Sequence, residues 1–152
     1  MRRTRLTMLV LGFAVVVAVV GVSSAQGGGR PLSATMSGPS ERPGPGDPDA
    51  TGRASFTLNQ GQREVCFDIS WANIDGTVSA GHIHVAPPTE PGPIVVPLFS
   101  RPLPGTASVS GCVEGVDRGL IKAIRQNPSA YYVNVHSQPS FPAGAIRGQL
   151  GK

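Results

Sequence analysis

The sequence predicts an all-β sandwich of seven to eight strands with one short helix. Glycine and proline contribute 20 and 15 of the 152 residues, which is too large a share for a helical bundle. Short segments of alternating apolar and polar residues recur along the chain, and each is bounded by Gly, Pro, Asn or Asp. The length fits one domain, since domains run to about 100–200 residues. No internal repeat divides the chain further.

The N-terminus has the pattern of an export signal. Three arginines stand there without an acid, residues 6–22 are predominantly apolar, and small residues at 23–25 precede a cleavage site at Gln26. The apolar run is shorter than the about 20 residues that cross a membrane. We therefore expect a signal peptide over residues 1–25 and a secreted or extracytoplasmic protein. Membrane attachment is expected only if the segment stays uncleaved.

Cleavage would change the charge balance of the protein. The whole chain has 13 Lys and Arg against 9 Asp and Glu. Three arginines leave with the signal, so the mature chain would hold 10 basic and 9 acidic residues, a net charge of +1. Nucleic-acid binding requires clustered cations that contact phosphates. The mature sequence has no such cluster, which excludes nucleic acid as a predicted partner.

Strand-like segments follow one another through the mature chain. Residues 26–31 form a flexible leader, and residues 38–49, with four prolines and three glycines, form a long loop. Each remaining strand segment is short and ends at a turn-forming residue, as in sandwich domains. The predicted strands cover residues 32–37, 51–59, 63–72, 79–86, 94–99, 106–113, 130–137 and 144–150.

One segment departs from the alternation. Residues 117–126 place Leu120, Ile121 and Ile124 at helical spacing. Asp117 can cap the first turn, and the Asn-Pro pair that follows the segment ends it. A single short helix is predicted here, crossing one end of the sandwich.

The two cysteines predict one disulfide. In an oxidising compartment, two cysteines in a short chain most simply pair with each other. Alternation places Cys66 and Cys112 on the less apolar faces of their strands. Such a bond would join strands of one sheet or cross its edge. Closing this loop should stabilise the fold by up to about 4 kcal/mol.

The three histidines carry the chemical signal of the sequence. On a strand, His82 and His84 would lie on one face about 6–7 Å apart, a separation that suits two ligands of one metal ion. His136 ends a strand on which Tyr132 and Asn134 share its face. If the strands converge, the three imidazoles form a metal site, with Asn134 and Tyr132 around it. The alternative is that they are ordinary histidines of a solvated sheet face.

The sequence assigns no catalytic residue. A Gly-x-Ser-x-Gly motif is absent, and both cysteines are used by the predicted disulfide. His136 and Ser137 point to opposite faces of a strand and cannot act as a pair. The acidic residues form no recognisable glycosidase pair. We therefore expect no enzymatic activity, and metal-dependent redox chemistry if there is one.

Several of these segments together resemble the CHRD domain, the module repeated in chordin and found singly in many exported bacterial proteins. The specific motifs are residues 127–136 and 141–150, and the resemblance extends over nearly all of the mature chain. It implies an extracellular, all-β domain over residues 32–151. It implies no particular biochemical activity. The segments that carry it are residues 80–85, 92–96, 111–113, 127–136 and 141–150.

The order of the histidine motifs also resembles the Greek-key, immunoglobulin-like sandwich of copper-zinc superoxide dismutase. There, a His-x-His and a Val-x-His supply three of four copper ligands, and His82, His84 and His136 stand at the matching positions. The bridging and zinc-loop histidines of that family have no counterpart here. Arg147 lies near the family's active-site arginine but out of register, so it receives no such role.

Two functions from different classes follow. The first is an exported protein that binds copper, with zinc as the alternative, through the three histidines, because imidazole ligands suit both metals. The second is a non-catalytic extracellular module that contacts a protein or a polysaccharide. In that case the loops at residues 38–49 and 87–93 would carry the contacts.

Overall fold

The computed structural model describes residues 31–152. The predicted signal peptide over residues 1–25 and most of the predicted leader lie outside the described residues. Residues 31–152 form eight strands and one α-helix. The strands are β1 (Leu32–Ser37), β2 (Thr51–Asn59), β3 (Glu64–Ala72), β4 (Thr77–Val85), β5 (Ile94–Ser100), β6 (Ser108–Val113), β7 (Tyr131–Gln138) and β8 (Phe141–Gln149), and helix α1 (Arg118–Gln126) lies between β6 and β7.

All strand pairs are antiparallel, and the strand order is β5-β4-β7-β8-β1-β2-β3-β6. The sheet is joined weakly at its middle, where the paired positions of β1 and β8 are Ser37 and Arg147. A side chain at Gly148 would meet the Thr35 carbonyl oxygen at 2.2 Å, so only glycine allows this approach. Two four-stranded halves thus meet at one corner, and the all-β sandwich prediction is confirmed.

The core lies between the two halves. The alternation in β3 buries Val65, Phe67, Ile69 and Trp71, the face that the sequence predicted to be apolar. Phe67 on β3 stacks against Phe99 on β5, with ring centroids 6.3 Å apart, so the two halves pack against each other. Burial of these side chains contributes about 1.5–3 kcal/mol each.

Two strands begin earlier than the sequence predicts. β8 starts at Phe141 rather than at residue 144, because a two-residue turn at 139–140 lets Ser137 pair with Phe141. Pro142 and Gly144 concealed this start in the sequence. β4 starts at Thr77 rather than at residue 79, because Thr77 pairs with the end of β7.

The helix forms where its pattern predicts. Asp117 accepts a hydrogen bond from the Leu120 N–H at 2.9 Å, which caps the first turn. Ile121 and Ile124 are fully buried against the core. Within residues 31–152, no helix is long and apolar enough to cross a membrane.

Cys66 and Cys112 form the predicted disulfide. They are directly opposite each other on β3 and β6. The bond therefore joins two neighbouring strands at the edge of the strand order. The part of the chain that the structure describes contains no free cysteine.

Candidate metal site

A polar array covers the outer face of the half formed by β5, β4, β7 and β8. The inner face of these strands is apolar, with Ile83, Val133 and Ile146 fully buried. Alternation sends the neighbouring side chains to the other face. The pairing of β4 with β7 places His84 opposite Tyr132 and His82 opposite Asn134. The pairing of β7 with β8 places Arg147 on the other side of Asn134. The array consists of His82 and His84 on β4, Tyr132, Asn134 and His136 on β7, and Arg147 and Gln149 on β8.

The structure brings the three histidines together. His82 Nδ1 lies 3.1 Å from His136 Nε2, and the ring centroids of His82 and His84 are 5.6 Å apart. One ring nitrogen of each histidine lies within 4.8 Å of one nitrogen of each of the others. Two nitrogens bound at about 2.0–2.1 Å to a tetrahedral ion are about 3.3 Å apart. His82 and His136 already meet that spacing, whereas the His84 nitrogen would have to come closer by up to about 1.5 Å.

Backbone carbonyls fix the tautomers of two of these rings. His84 Nδ1 donates to the Gly92 carbonyl oxygen at 2.8 Å, and His136 Nδ1 donates to the Pro142 carbonyl oxygen at 3.0 Å. A carbonyl oxygen only accepts, so in both neutral rings Nε2 carries the free lone pair. Metal-binding histidines are commonly held through their second nitrogen in this way.

Burial keeps the histidines neutral. Burial, together with smaller effects of the neighbouring His136 and His84, lowers the pKa of His82 to about 4. Burial is also the main cause of the lowered pKa values of His84 and His136. Neutral imidazole is the form that binds a metal ion.

A stack of three side chains supports His84. Its ring lies parallel to that of Tyr132, with centroids 4.6 Å apart and an interplanar angle of 8°. The Arg147 guanidinium carbon lies 3.4 Å from the centroid of the Tyr132 ring. Contacts of this kind between a cation and an aromatic face are worth about 0.5–2 kcal/mol.

The same side chains hold the loop at residues 87–93 over the array. Arg147 donates to the carbonyl oxygens of Pro87 and Glu90 at 2.8 and 2.9 Å. The Tyr132 hydroxyl accepts from the Gly92 N–H at 3.2 Å. This cover leaves Arg147 only 1% exposed although it stands on the outer face of the sheet.

A buried acid lies behind the site. Glu41, in the loop at residues 38–49, is 1% exposed and lies beside the Asn134 side chain. Its Oε1 accepts from the Arg42 N–H, but its Oε2 has no hydrogen-bond partner. Burial raises the pKa of Glu41 to about 7, against the opposing effects of the Arg42 N–H, Arg147 and Asn134.

The predicted site residues and the observed array agree in part. His82 and His84 share a face of β4, and His136, Asn134 and Tyr132 share a face of β7, as the alternation indicated. The pairing of β4 with β7 makes these two faces one surface. Arg147 was given no role, and the structure directs it to the loop and to Tyr132 rather than to the histidines. Glu41 was missed, because nothing in a proline-rich loop sequence indicates that an acid folds inward.

A second group of ligand-type residues is Glu64 with the two disulfide sulfurs. Sulfurs that are bonded to each other offer no thiolate. In the part of the chain that the structure describes, the histidine group is therefore the one that presents free metal-binding nitrogens.

Comparison with known proteins identifies the family. A search of curated proteins and a search of solved structures found no match. A scan of protein families matches the CHRD domain over residues 32–150, which includes every strand and the whole polar array. The chain belongs to the CHRD domain family.

Proposed function

We propose that this is an exported protein that binds a copper ion through His82, His84 and His136, with zinc as the alternative ion. The observation that supports this most directly is the shared orientation of the three rings. Their nitrogens approach one another, and carbonyl groups hold the Nδ1 protons of His84 and His136 away from the cluster. Histidines on an ordinary solvated sheet face would not be expected to share this orientation.

The donor set favours copper over other first-row divalent ions. Imidazole nitrogen suits Cu(II) and Zn(II), and affinity for a given nitrogen site is highest for Cu(II). The ion would have three protein ligands, which leaves a position for water or a small ligand. The protein would therefore serve metal handling or modest redox chemistry.

Export is the second part of the proposal. The disulfide and the family both fit an extracytoplasmic location. The sequence of residues 1–25 supports secretion by a cleaved signal peptide. Mass spectrometry of the protein from its producing cell should find an N-terminus at Gln26. An intact Met1 in the cytoplasmic fraction would contradict export.

The metal proposal is tested by titration of the mature protein with Cu(II) and with Zn(II). Calorimetry should give one ion per chain, and the double variant H82A/H84A should lose this binding. Ser110→Ala, on β6 in the other half, is the control and should bind as the parent does. If the double variant binds as well as the parent, the proposal is wrong.

The alternative function is a module that contacts an extracellular protein or polysaccharide. The loop at residues 87–93 favours it, because its prolines are exposed while Arg147 and Tyr132 hold its backbone in place. A stiff loop loses little entropy on binding. Shortening the loops at residues 38–49 and 87–93 should abolish binding to envelope or matrix material. Unchanged binding would exclude this function.

A further inference from the structure

Asn134 occupies the centre of the polar array and contacts one of the three histidines. It is opposite His82 on one side and Arg147 on the other. The side-chain atom of Asn134 assigned as Oδ1 lies 3.0 Å from His84 Nε2. Asn134 is only 2% exposed, so water does not compete for this contact.

The hydrogen-bond chemistry decides which way the amide faces. His84 Nδ1 carries its proton, because it donates to the Gly92 carbonyl. In the neutral ring Nε2 is then an acceptor and requires a donor from Asn134. The nitrogen and the oxygen of an amide have the same shape, and their assignment follows from the hydrogen-bond network. We therefore assign the position nearest His84 Nε2 to the Asn134 NH₂ group, which donates there, and the opposite position to the oxygen.

Glu41 provides the complementary partner. It lies beside Asn134, and its Oε2 is buried without a hydrogen bond. With the NH₂ group assigned to His84, the Asn134 oxygen faces Glu41. A protonated Glu41 carboxyl then donates to this oxygen, in place of the Asn134 donation to a carboxylate that lowers the pKa of Glu41. Both groups then have a partner, as buried polar groups generally do. The raised pKa of Glu41 is consistent with a carboxyl that is partly protonated at neutral pH.

We propose that Asn134 is a latch on the metal site: it donates to the His84 Nε2 lone pair in the metal-free protein and must release it when a metal ion binds. This inference rests on the proposed metal-binding function. Asn134 is a positioning residue that lowers metal affinity, and Glu41 fixes the orientation of its amide. An ordinary supporting residue would do the opposite and raise affinity.

The test compares Asn134→Ala with the parent in titrations with Cu(II). Loss of one buried hydrogen bond that opposes binding should tighten Cu(II) binding by about threefold to tenfold. Asn127→Ala, at an exposed asparagine after helix α1, is the matched control and should leave affinity unchanged. Unchanged or weaker binding by a folded Asn134→Ala protein would overturn the latch.

A second pair of variants applies if Asn134→Ala does not fold. Glu41→Gln keeps a donor beside the Asn134 oxygen and should bind Cu(II) as the parent does. Glu41→Ala removes the donor and should bind more tightly than Glu41→Gln. Equal affinities of the two variants would contradict the role assigned to Glu41 and Asn134.

Nitrogen NMR of the metal-free histidines separates the latch from the metal proposal. His84 should be the Nδ1–H tautomer. In Asn134→Ala, the chemical shift of its Nε2 should move toward the value of a nitrogen without a hydrogen-bond donor. An Nε2–H tautomer in the parent would overturn the latch even if H82A/H84A shows that the histidines bind metal. Equal Cu(II) binding by the parent and H82A/H84A would instead reject the metal site, and the latch with it.

Discussion

His82 Nδ1 and His136 Nε2 lie 3.1 Å apart on neighbouring strands, although the two residues are diagonal and His82 pairs with Asn134. Because His136 Nδ1 donates to the Pro142 carbonyl, His136 Nε2 accepts, and His82 Nδ1 is the donor of this hydrogen bond. The His82 Nδ1 proton therefore lies in a hydrogen bond between two neutral imidazoles. Both nitrogens could hold one metal ion if this proton moved to His82 Nε2, which would keep His82 a neutral ligand.

The first prediction concerns this pair. His136→Ala should weaken Cu(II) binding by at least about 100-fold, because even groups that only hold a ligand in place are worth about 10–100-fold. Competition titration against a chelator of known affinity measures the change. Circular dichroism should show the same fold, since His136 is half-buried outside the core. Retained affinity would show that His136 is not a ligand.

Arg147 should stabilise the protein through the loop that it holds. Arg147→Lys keeps the charge but loses the two hydrogen bonds to the carbonyl oxygens of Pro87 and Glu90. It also loses the planar contact with the Tyr132 ring. We expect a loss of about 2 kcal/mol in the free energy of unfolding, measured by urea denaturation. Hydrogen exchange at the Gly92 amide should also become faster.

The control for Arg147 is Arg53→Lys on β2. Arg53 is exposed on the outer face of the other half, and exposed surface substitutions usually change stability by less than about 0.5 kcal/mol. A similar loss in both variants would mean that the loop contacts of Arg147 contribute nothing specific.

Glu41 should make stability depend on pH. Its folded-state pKa of about 7 exceeds the ordinary value of 4.5, so the folded state binds the proton more tightly. The stabilisation is fully present below pH 4.5 and is lost as the pH rises through about 7. Arg147 and Arg42 favour the charged carboxylate and limit the effect, and the neighbouring histidines titrate in both proteins.

Comparison with Glu41→Gln isolates this contribution. Relative to the parent, Glu41→Gln should gain up to about 3 kcal/mol in the free energy of unfolding between pH 4.5 and pH 8. Urea denaturation across that range measures the difference, in which the titration of other groups largely cancels. A difference that does not change with pH would show that Glu41 has an ordinary pKa.

Gly144 should tolerate no side chain. Its φ is +144°, and a Cβ atom would meet Glu41 Oε2 at 2.4 Å. Gly105→Ala is the matched control, because Gly105 has a φ of +67° but no atom within 4 Å of a Cβ. Backbone strain alone should cost about 1–2 kcal/mol at Gly105, and the clash should add about 1–3 kcal/mol at Gly144. Equal melting temperatures of the two variants would contradict the clash predicted at Gly144.

Much of the fold was accessible from local patterns. The alternation in β3, the capped helix after Asp117 and the pairing of Cys66 with Cys112 follow from neighbouring residues or from the number of cysteines. The starts of β4 and β8 do not follow from local patterns, because Thr77 and Phe141 join the sheet through pairing with β7. A strand end that is set by its partner leaves a weak signal in its own sequence.

The sequence by itself determined that His82 and His84 share one face and that His136, Asn134 and Tyr132 share another, since side chains alternate along a strand. Only the tertiary structure decided that the two faces are one surface, through the pairing of β4 with β7. It also buried Glu41 within one proline-rich loop and Arg147 beneath the other. These contacts join residues far apart in the chain, and burial, rather than local conformational preference, creates them.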